Sequence, residues 1–599
     1  MKTRLPRRNS DEQPRIRFRF AIRLFAILLS VWVCPIGLPS CAAESKKPGA
    51  SPSDALFDPS RVIQIEIRLD PKDWLALRTS HPVLDEEGEI SVTEKGYAYY
   101  RGDVLIGGEV VKTVGVRKKG AWGSIDSIRP SLKIKFDEYE RGRDFVGLDM
   151  LTLNNTLHDW TKAQEFLVYS FMRKAGVPAP RSNLARVIVN GEDLGVYANV
   201  ESIRKPFIKA RFANASGDLY ENVATGADLT TDRMHRIAHK WGPDDQCTHL
   251  RKVVEVLKGP ELVQLDQLGE LLDLDAFIRF WAAEVLIGLH DGYAANQNNY
   301  YVYRDAKSGK ISFIPWGADS AFADRGSTVP KSIKATGYLC HRLWQLPEIR
   351  ERYRREMQRL LDEVWDEKTM LSELTRVLAM WHDGHPDAPA KLKAQADSIS
   401  QFIKGRRKEV QAELDSPARD WPLPPRTRQP KPPDNNPLMQ IEGSFSAVVV
   451  EAFPPPHPKT FLPFPTNIAD YFGQGTASLQ VTINGQTHKA FAPIGATATA
   501  KDSTQIRIAA FNPADRVLWN VIFDVFPFSL SPGVTRSLEP WTIHASVIHG
   551  DPHSTNAQFK WGIKKNGTLE LTQVSTNLGG TISGSFKINS TAFARKTPP

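Results

Sequence analysis

Cysteine is scarce in this chain, with four residues in 599, at positions 34, 41, 247 and 340. That excludes a disulfide-dense scaffold, and two isolated body cysteines without clustered histidines make no metal knot. No stretch reads GxSxG, HExxH, GxGxxG, or GxxxxGK followed by Ser or Thr. The nucleophile elbow, the zincin helix, the dinucleotide fingerprint and the P-loop are therefore all missing. His290 beside Asp291 does not make a hydrolase either, because adjacent loop residues point apart and no nucleophile accompanies them. Basic runs interleaved with aromatics are absent from the body: of the net charge of +9, six units lie in residues 1–43. The footprint of a nucleic-acid binder is missing. No internal repeat is visible.

What is present begins with a basic N-terminus, an apolar run from Leu24 to Val33 extended to Leu38, and small residues Ser40-Cys41-Ala42-Ala43. This is the three-part plan of an export signal over 1–43, and the run is shorter than the ~20 residues of a spanning helix. Leu38-Pro39-Ser40-Cys41 also has the form of a lipoprotein signal, with membrane attachment through Cys41, so cleavage and lipidation both stay open. Residues 44–58 read as a polar tether. Val62–Leu69 alternates apolar and polar residues and opens a half-buried sheet, after which helices and strands mix to about residue 414. Eight prolines between 415 and 437 predict a stiff linker. Beyond it, runs such as Phe445–Glu451, Ser478–Ile483, Ile506–Phe511 and Trp519–Val525, separated by Gly, Pro and Asn turns, predict an all-β sandwich-like domain over 438–599. In an exported chain Cys247 and Cys340 are the pair left to form a disulfide, worth ~4 kcal/mol on the chain-entropy argument.

The most informative stretch is His290-Asp291-Gly292-Tyr293-Ala294-Ala295-Asn296-Gln297-Asn298-Asn299. Ahead of it, residues 275–288 read as a helix with an N-cap Asp, apolar residues at helical spacing and a terminal Gly. After it come Tyr300–Tyr303, a turn at Lys307–Lys310, a return strand Ile311–Ile314, and Asp319. Protein kinases present a catalytic Asp, a metal-binding Asn and a metal-binding Asp in this order of helix, loop and hairpin. Asp291 would take the acceptor hydroxyl proton. Asn296 or Asn299, with Asp319, would supply hard oxygen ligands to Mg²⁺ or Mn²⁺. The strand Leu132–Phe136 puts Lys133 and Lys135 on one face, and either would serve as the phosphate cation, with Glu165, on a helix from Trp160 to Lys174, as its partner. Arg117, Lys119 and Gly120, followed by Trp122-Gly123-Ser124, would form a basic loop over phosphates.

Together with Val114–Gly120, Pro130–Phe136, Leu151–Asn155, Ala175–Arg181 and Val189–Glu201, these residues resemble the spore coat protein H (CotH) kinase family of secreted atypical kinases, over roughly residues 60–410. The resemblance implies an α+β, atypical protein-kinase-like domain over 59–414 that uses ATP with Mg²⁺ or Mn²⁺ and phosphorylates protein Ser or Thr in an exported bacterial protein. It also sets the hairpin Val187–Glu201 ahead of the nucleotide edge of the cleft, where Tyr197 and Glu201 would border adenine or ribose, the other reading being a core aromatic and a surface charge. Many family members carry two carboxylates where this chain reads Trp316-Gly317-Ala318-Asp319, and Gly317 replaces the first. The other reading is therefore a catalytically inactive kinase-fold surface protein whose β-sandwich binds glycan or protein.

Overall fold

The alternation in Val62–Leu69 (β1) is realised, with Ile63, Ile65, Ile67 and Leu69 buried while Gln64 and Arg68 stay exposed. The computed structural model describes residues 51–425 apart from 81–96, 121–123, 125–128, 213, 260, 324–329 and 382–387, and beyond 437 chiefly strands up to Thr591. The expected export signal and Cys41, the start of the tether, Trp122 and Gly123, and residues 426–437 of the expected linker lie outside the described residues.

After β1 come α1 (Pro71–Thr79), β2 (Tyr100–Ile106), β3 (Glu109–Lys118), β4 (Leu132–Lys135), β5 (Met150–Asn154), α2 (Gln164–Lys174), β6 (Ser182–Val189) and β7 (Glu192–Glu201). The seven strands close into a barrel in the order β1-β2-β3-β4-β5-β7-β6. Only β1 and β6 pair in parallel, because α1 through α2 intervene; the rest are antiparallel. Asn190 and Gly191 both take positive φ (51° and 84°) in the two-residue turn between β6 and β7, as a hairpin of type I′ needs. Inside, Val114, Val116, Leu132, Ile134, Leu151 and Leu153 form the core. Lys118, also pointing inward, is fully buried and spends its ammonium on the carbonyls of Arg78 (2.7 Å) and Ser80 (2.9 Å). Arg117, Lys133 and Lys135, one residue out of that phase, therefore stand on the outer face.

The second half holds α3 (Lys205–Arg211), β8 (Asp218–Asn222), β9 (Ile237–Trp241), α4 (Thr248–Leu257), α5 (Leu265–Leu271), α6 (Leu274–Leu286), α7 (Tyr293–Asn296), β10 (Tyr300–Arg304), β11 (Ile311–Pro315), α8 (Tyr338–Trp344), α9 (Pro347–Arg359), α10 (Glu367–Met380) and α11 (Ala388–Leu414). A four-stranded sheet runs in the order β11-β10-β8-β9. The central helix α6 is capped by Asp273, which accepts from Ala276 N at 3.0 Å, two residues before the Asp expected from the sequence. Its apolar faces are buried on nearly all sides, with Phe277, Phe280 and Trp281 almost fully enclosed. Arg406 on α11, also fully buried, donates to the carbonyls of Leu286 (3.0 Å), Val285 (2.5 Å) and Lys331 (2.9 Å). It thus places a cation at the carbonyl end of α6.

Three expectations need correction. The tether ends before residue 58, because Pro52–Phe57 forms a 3-10 turn under Ser51 whose Leu56 and Phe57 join the barrel core. The first part of the expected linker is docked: Trp421 is buried against the helical half, and Arg419 O accepts from Trp344 Nε1 at 3.2 Å. Cys247 and Cys340 are free thiols. Cys247 caps α4 with a left-handed φ of 54°, and Cys340 faces the core from inside α8, so each sulfur is taken up by its own packing. Beyond 437 the expected strands appear as two antiparallel sheets, one of six strands built around Leu438–Val448 and Thr581–Thr591, the other of five around Gln505–Asn512 and Val517–Asp524.

Arg406→Met should remove the donor shared by three carbonyls, of which Val285 O keeps the N–H of Gly288, and cost about 3 kcal/mol. A shift of the denaturant midpoint at unchanged slope measures it, and a variant as stable as the parent contradicts the capping role.

Candidate active site

The loop between α6 and α7 is held from below by Glu284. Its carboxylate accepts from Tyr293 N (3.2 Å) and Ala294 N (2.9 Å), the first amides of α7. A Cβ at Gly292 would lie 2.5 Å from Glu284 Oε1, so only glycine lets the loop pass this close. Burial raises the Glu284 carboxyl to about 8, although the two amides work the other way. Next to it, Tyr293 donates to Asp228 at 2.7 Å, and Asp228 accepts from Tyr338 N at 2.7 Å, fastening the loop to the start of α8.

On this base sits Asp291, surrounded by amides. Asn296 Nδ2 donates to Oδ1, while Asn298 (3.1 Å) and Asn299 (2.8 Å) donate to Oδ2. Asn299 also bonds Asp291 O at 3.1 Å, and its own backbone is fixed by Asn222 Oδ1 at 3.0 Å. Gln297 and Asn299 take left-handed φ (46° and 51°), which turns the loop back on the carboxylate. Asn296 and Asn299, read as alternative metal ligands, both lie at Asp291; Asn298, not singled out from the sequence, joins them.

Across from it, Lys119 just past β3 reaches Asn154 Oδ1 at 2.5 Å, and Asn154 Nδ2 reaches Glu165 Oε1 at 2.6 Å. The Lys119 ammonium lies 5.7 Å from the centre of the Trp316 ring and is attracted by both Glu165 and Asp319, while burial lowers its pKa. Glu165 is almost fully buried and its Oε2 has no hydrogen-bond partner. Burial and the neighbouring Asp319 raise its pKa to about 8. Asp319 is also pushed up by burial, against the pull of His158 and Lys119.

The phosphate-cation assignment therefore changes. Lys135 is bound to Glu138 (2.6 Å) and Asp137 (3.7 Å), and neither it nor Lys133 reaches Glu165. The lysine joined to Glu165 is Lys119, through Asn154. An Asn pair closing an otherwise apolar strand, Leu151-Thr152-Leu153-Asn154-Asn155, was the signal for it. Arg117 bonds Lys118 O at 3.0 Å and lies over Tyr99. Two residues leave the nucleotide edge altogether. Tyr197 is fully buried in the barrel core, and Glu201 is buried between Arg181 (2.7 Å) and Arg211 (2.5 Å), which hold its carboxyl low against the effect of burial.

At Gly317, φ is +52°, and a Cβ would fall 2.6 Å from both Cγ and Oδ1 of Asn299. The space that a longer side chain would need is filled by the amide that holds Asp291.

Residues 116–410 match the family model described as CotH kinase protein. That match, with the relatives that follow, supports the CotH family for this segment. Inner spore coat protein H of Bacillus subtilis is 22% identical over 285 residues, 44% of this chain and 78% of that protein. Spore coat protein homolog 1 of Rhizopus delemar is 24% identical over 250 residues, 38% of this chain, and the alignment spans only 41% of that relative. Invasin CotH3 of the same fungus is 25% identical over 199 residues, 30% of this chain and 33% of its own length. Among solved structures, the Helicobacter pylori proinflammatory kinase CtkA aligns with 47% of this chain and 92% of its own at 8% identity and a TM-score of 0.24. HipA, from the Shewanella oneidensis complex with HipB and operator DNA, aligns with 45% of this chain and 60% of its own at 11% identity and the same TM-score of 0.24. Scores that low add nothing to the fold described above. Among the described residues, no helix is long and apolar enough to cross a membrane.

Two outcomes follow from this geometry. Gly317→Asp should not add a ligand but displace Asn299 and loosen Asp291, read as a lower melting temperature than Gly317→Ser, whose shorter side chain has less to accommodate; an aspartate variant at least as stable as the parent would contradict the steric argument. Glu284, with a folded pKa of about 8 against an ordinary 4.5, keeps a proton in the folded chain that the unfolded chain has already lost at neutral pH. Its stabilisation is full below the ordinary carboxyl range and disappears as pH rises through about 8. Denaturation curves at pH 5, 7 and 9 should show that decline, and it should be shallower in Glu284→Gln.

Proposed function

We propose that this protein transfers the γ-phosphoryl group of ATP to a Ser or Thr hydroxyl of an acceptor protein outside the cytoplasm. The observation that carries the reading is the chain Lys119–Asn154–Glu165 beside Asp319, with a buried, unpartnered Glu165 Oε2. Burial leaves Glu165 holding a proton at neutral pH, a divalent cation would take that proton's place, and the hard oxygens of Glu165, Asp319 and an Asn amide fit Mg²⁺ or Mn²⁺. Such an ion, held by Asp319 and Glu165, would supply charge neutralisation at the phosphates.

The residues of the chain divide the remaining work. Lys119, positioned by Asn154, would bind the phosphates. Asp291 would orient the acceptor hydroxyl and take its proton as the new bond from that oxygen to the γ-phosphorus forms and the bond to the bridging oxygen of ADP breaks. Oδ1 of Asp291 accepts a single amide hydrogen bond against two at Oδ2, so Oδ1 is the oxygen with room for that proton. The N-terminal sequence and the spore-coat names of the relatives support an exported location.

A second reading, nucleotide binding without transfer, is favoured by one observation: Gly317 supplies no carboxylate and its place is filled by Asn299. The two readings separate by experiment. Asp319→Ala should abolish metal-dependent ATP binding and transfer together. Asp291→Ala should leave binding largely intact and lower transfer by on the order of 10² or more. Calorimetry with ATP and Mg²⁺ or Mn²⁺, and label incorporation into acceptor protein, measure these. Binding without any transfer by the parent protein selects the second reading, and no binding with either metal removes both.

A further inference from the structure

Past Trp316 the cleft carries charges that the phosphate cradle does not use. Arg117 on β3 stands directly opposite Lys133 on β4, a like-charge cross-strand pair that weakens the sheet. Arg117 is occupied by Lys118 O and Tyr99. Lys133 forms no hydrogen bond or ion pair with any described residue. Its charged neighbours are Arg117, Lys119 and Lys240, and the one acidic group among them is Glu221, at the end of β8. Glu221 is already committed, to Lys240 at 2.8 Å and to the hydroxyl of Tyr301. Burial opposes its charge, yet Lys240 and Lys133 bring its pKa down to about 2, so it is ionised. Burial and these cations push the Lys133 pKa well below that of a free lysine, against the pull of Glu221 alone, so an incoming anion would restore the ammonium and be held by it.

We propose that Lys133, with Arg117 and Lys240, is a second anion subsite that takes an acidic group of the acceptor, a carboxylate or a phosphate already transferred, beside the hydroxyl to be phosphorylated. The proposal rests on the kinase reading above. Its place assigns it to the acceptor. Asn222, which follows Glu221, accepts the backbone N–H of Asn299, and Asn299 holds Asp291, so the subsite adjoins the residue that would face the acceptor hydroxyl. Lys119 lies over Trp316, and Tyr301, bonded to Glu221, packs edge-on at 5.8 Å against that same ring, so the subsite adjoins the phosphate cradle as well.

The test uses the full chain without nucleotide and fluorescent serine peptides flanked by Glu, by phosphoserine, or by Lys. Anisotropy should show the Glu and phosphoserine peptides binding at least tenfold more tightly than the Lys peptide, and weakening with salt as a charge-driven contact must. Lys133→Met should remove most of that preference, Lys133→Arg should keep it, and a melting curve should show both variants folded, since neither breaks a hydrogen bond; Lys133→Gln serves if the methionine variant is unstable. ATP binding is measured in parallel. Equal binding of acidic and basic peptides, or a preference that survives Lys133→Met, overturns the proposal. So does a Lys133→Met protein that loses ATP affinity but keeps the peptide preference, because Lys133 would then belong to the nucleotide. An acidic preference in a protein that binds no ATP would uphold the subsite while removing the kinase reading.

Discussion

The cleft depends on the burial of Glu165 next to Asp319. A carboxyl group at 1% exposure with one unbonded oxygen is expensive, and a second carboxyl beside it makes ionisation harder still. The structure meets part of that cost with one ammonium, Lys119, and even that contact is indirect, because Asn154 stands between them. An interposed amide leaves the lysine near both carboxylates without neutralising either fully. A permanent Lys–Glu pair would satisfy itself; this arrangement keeps a buried carboxyl whose proton a cation can replace, in the place where phosphates and a metal ion would meet.

The scaffold supplies the precision that such an arrangement needs. Closing seven strands into a barrel sorts residues by parity, so Val114, Val116 and Lys118 go inward while Arg117 faces the cleft. On the other side, α6 is buried all round and tied down by Arg406, and its Glu284 reaches forward to the first amides of α7. The path from core to Asp291 is therefore short and rigid: one helix, one buried carboxylate and one glycine that lets them touch. Left-handed Gln297 and Asn299 store backbone strain at this point, which persists because the packing around them leaves no alternative.

Much of this was legible in the sequence, for definite reasons. Period-two alternation in Val62–Leu69, the Asn190-Gly191 turn and the helix ahead of Asp291 rest on local chemistry, and local chemistry is what a single sequence displays. Asp291, Asn296, Asn299 and Asp319 stood out because hard ligands gathered in a short loop. The partners across the cleft did not. Lys119, Lys133 and Lys135 are equivalent by type and spacing, and the choice among them is made by strand ends: Lys135 finds Glu138 three residues on, while Lys119 lies just beyond β3 beside the end of β5. Tyr197 and Glu201 misled for the same reason, since barrel closure and Arg211, ten residues downstream, decide their surroundings. The cysteine pair was an argument from compartment and number, and distance in the fold was not part of it.

Gly317 ties the metal site to the hold on Asp291. Seen alone, its replacement of a carboxylate reads as loss of a metal ligand. In the fold, the missing side chain and the Asn299–Asp291 contact occupy one volume, so the loss at 317 and the firm hold on Asp291 are one structural choice. A carboxylate forced into that volume would repel Asp291 and Asp319 while evicting the amide that steadies the first of them. The remaining negative charge facing the cleft is divided between Asp291, fully solvated by amides, and the Asp319–Glu165 pair, which is not. That division leaves the pair as the place where a cation would displace a proton and Asp291 as a carboxylate stabilised without one, the separation of roles that phosphoryl transfer requires of two carboxylates in one cleft.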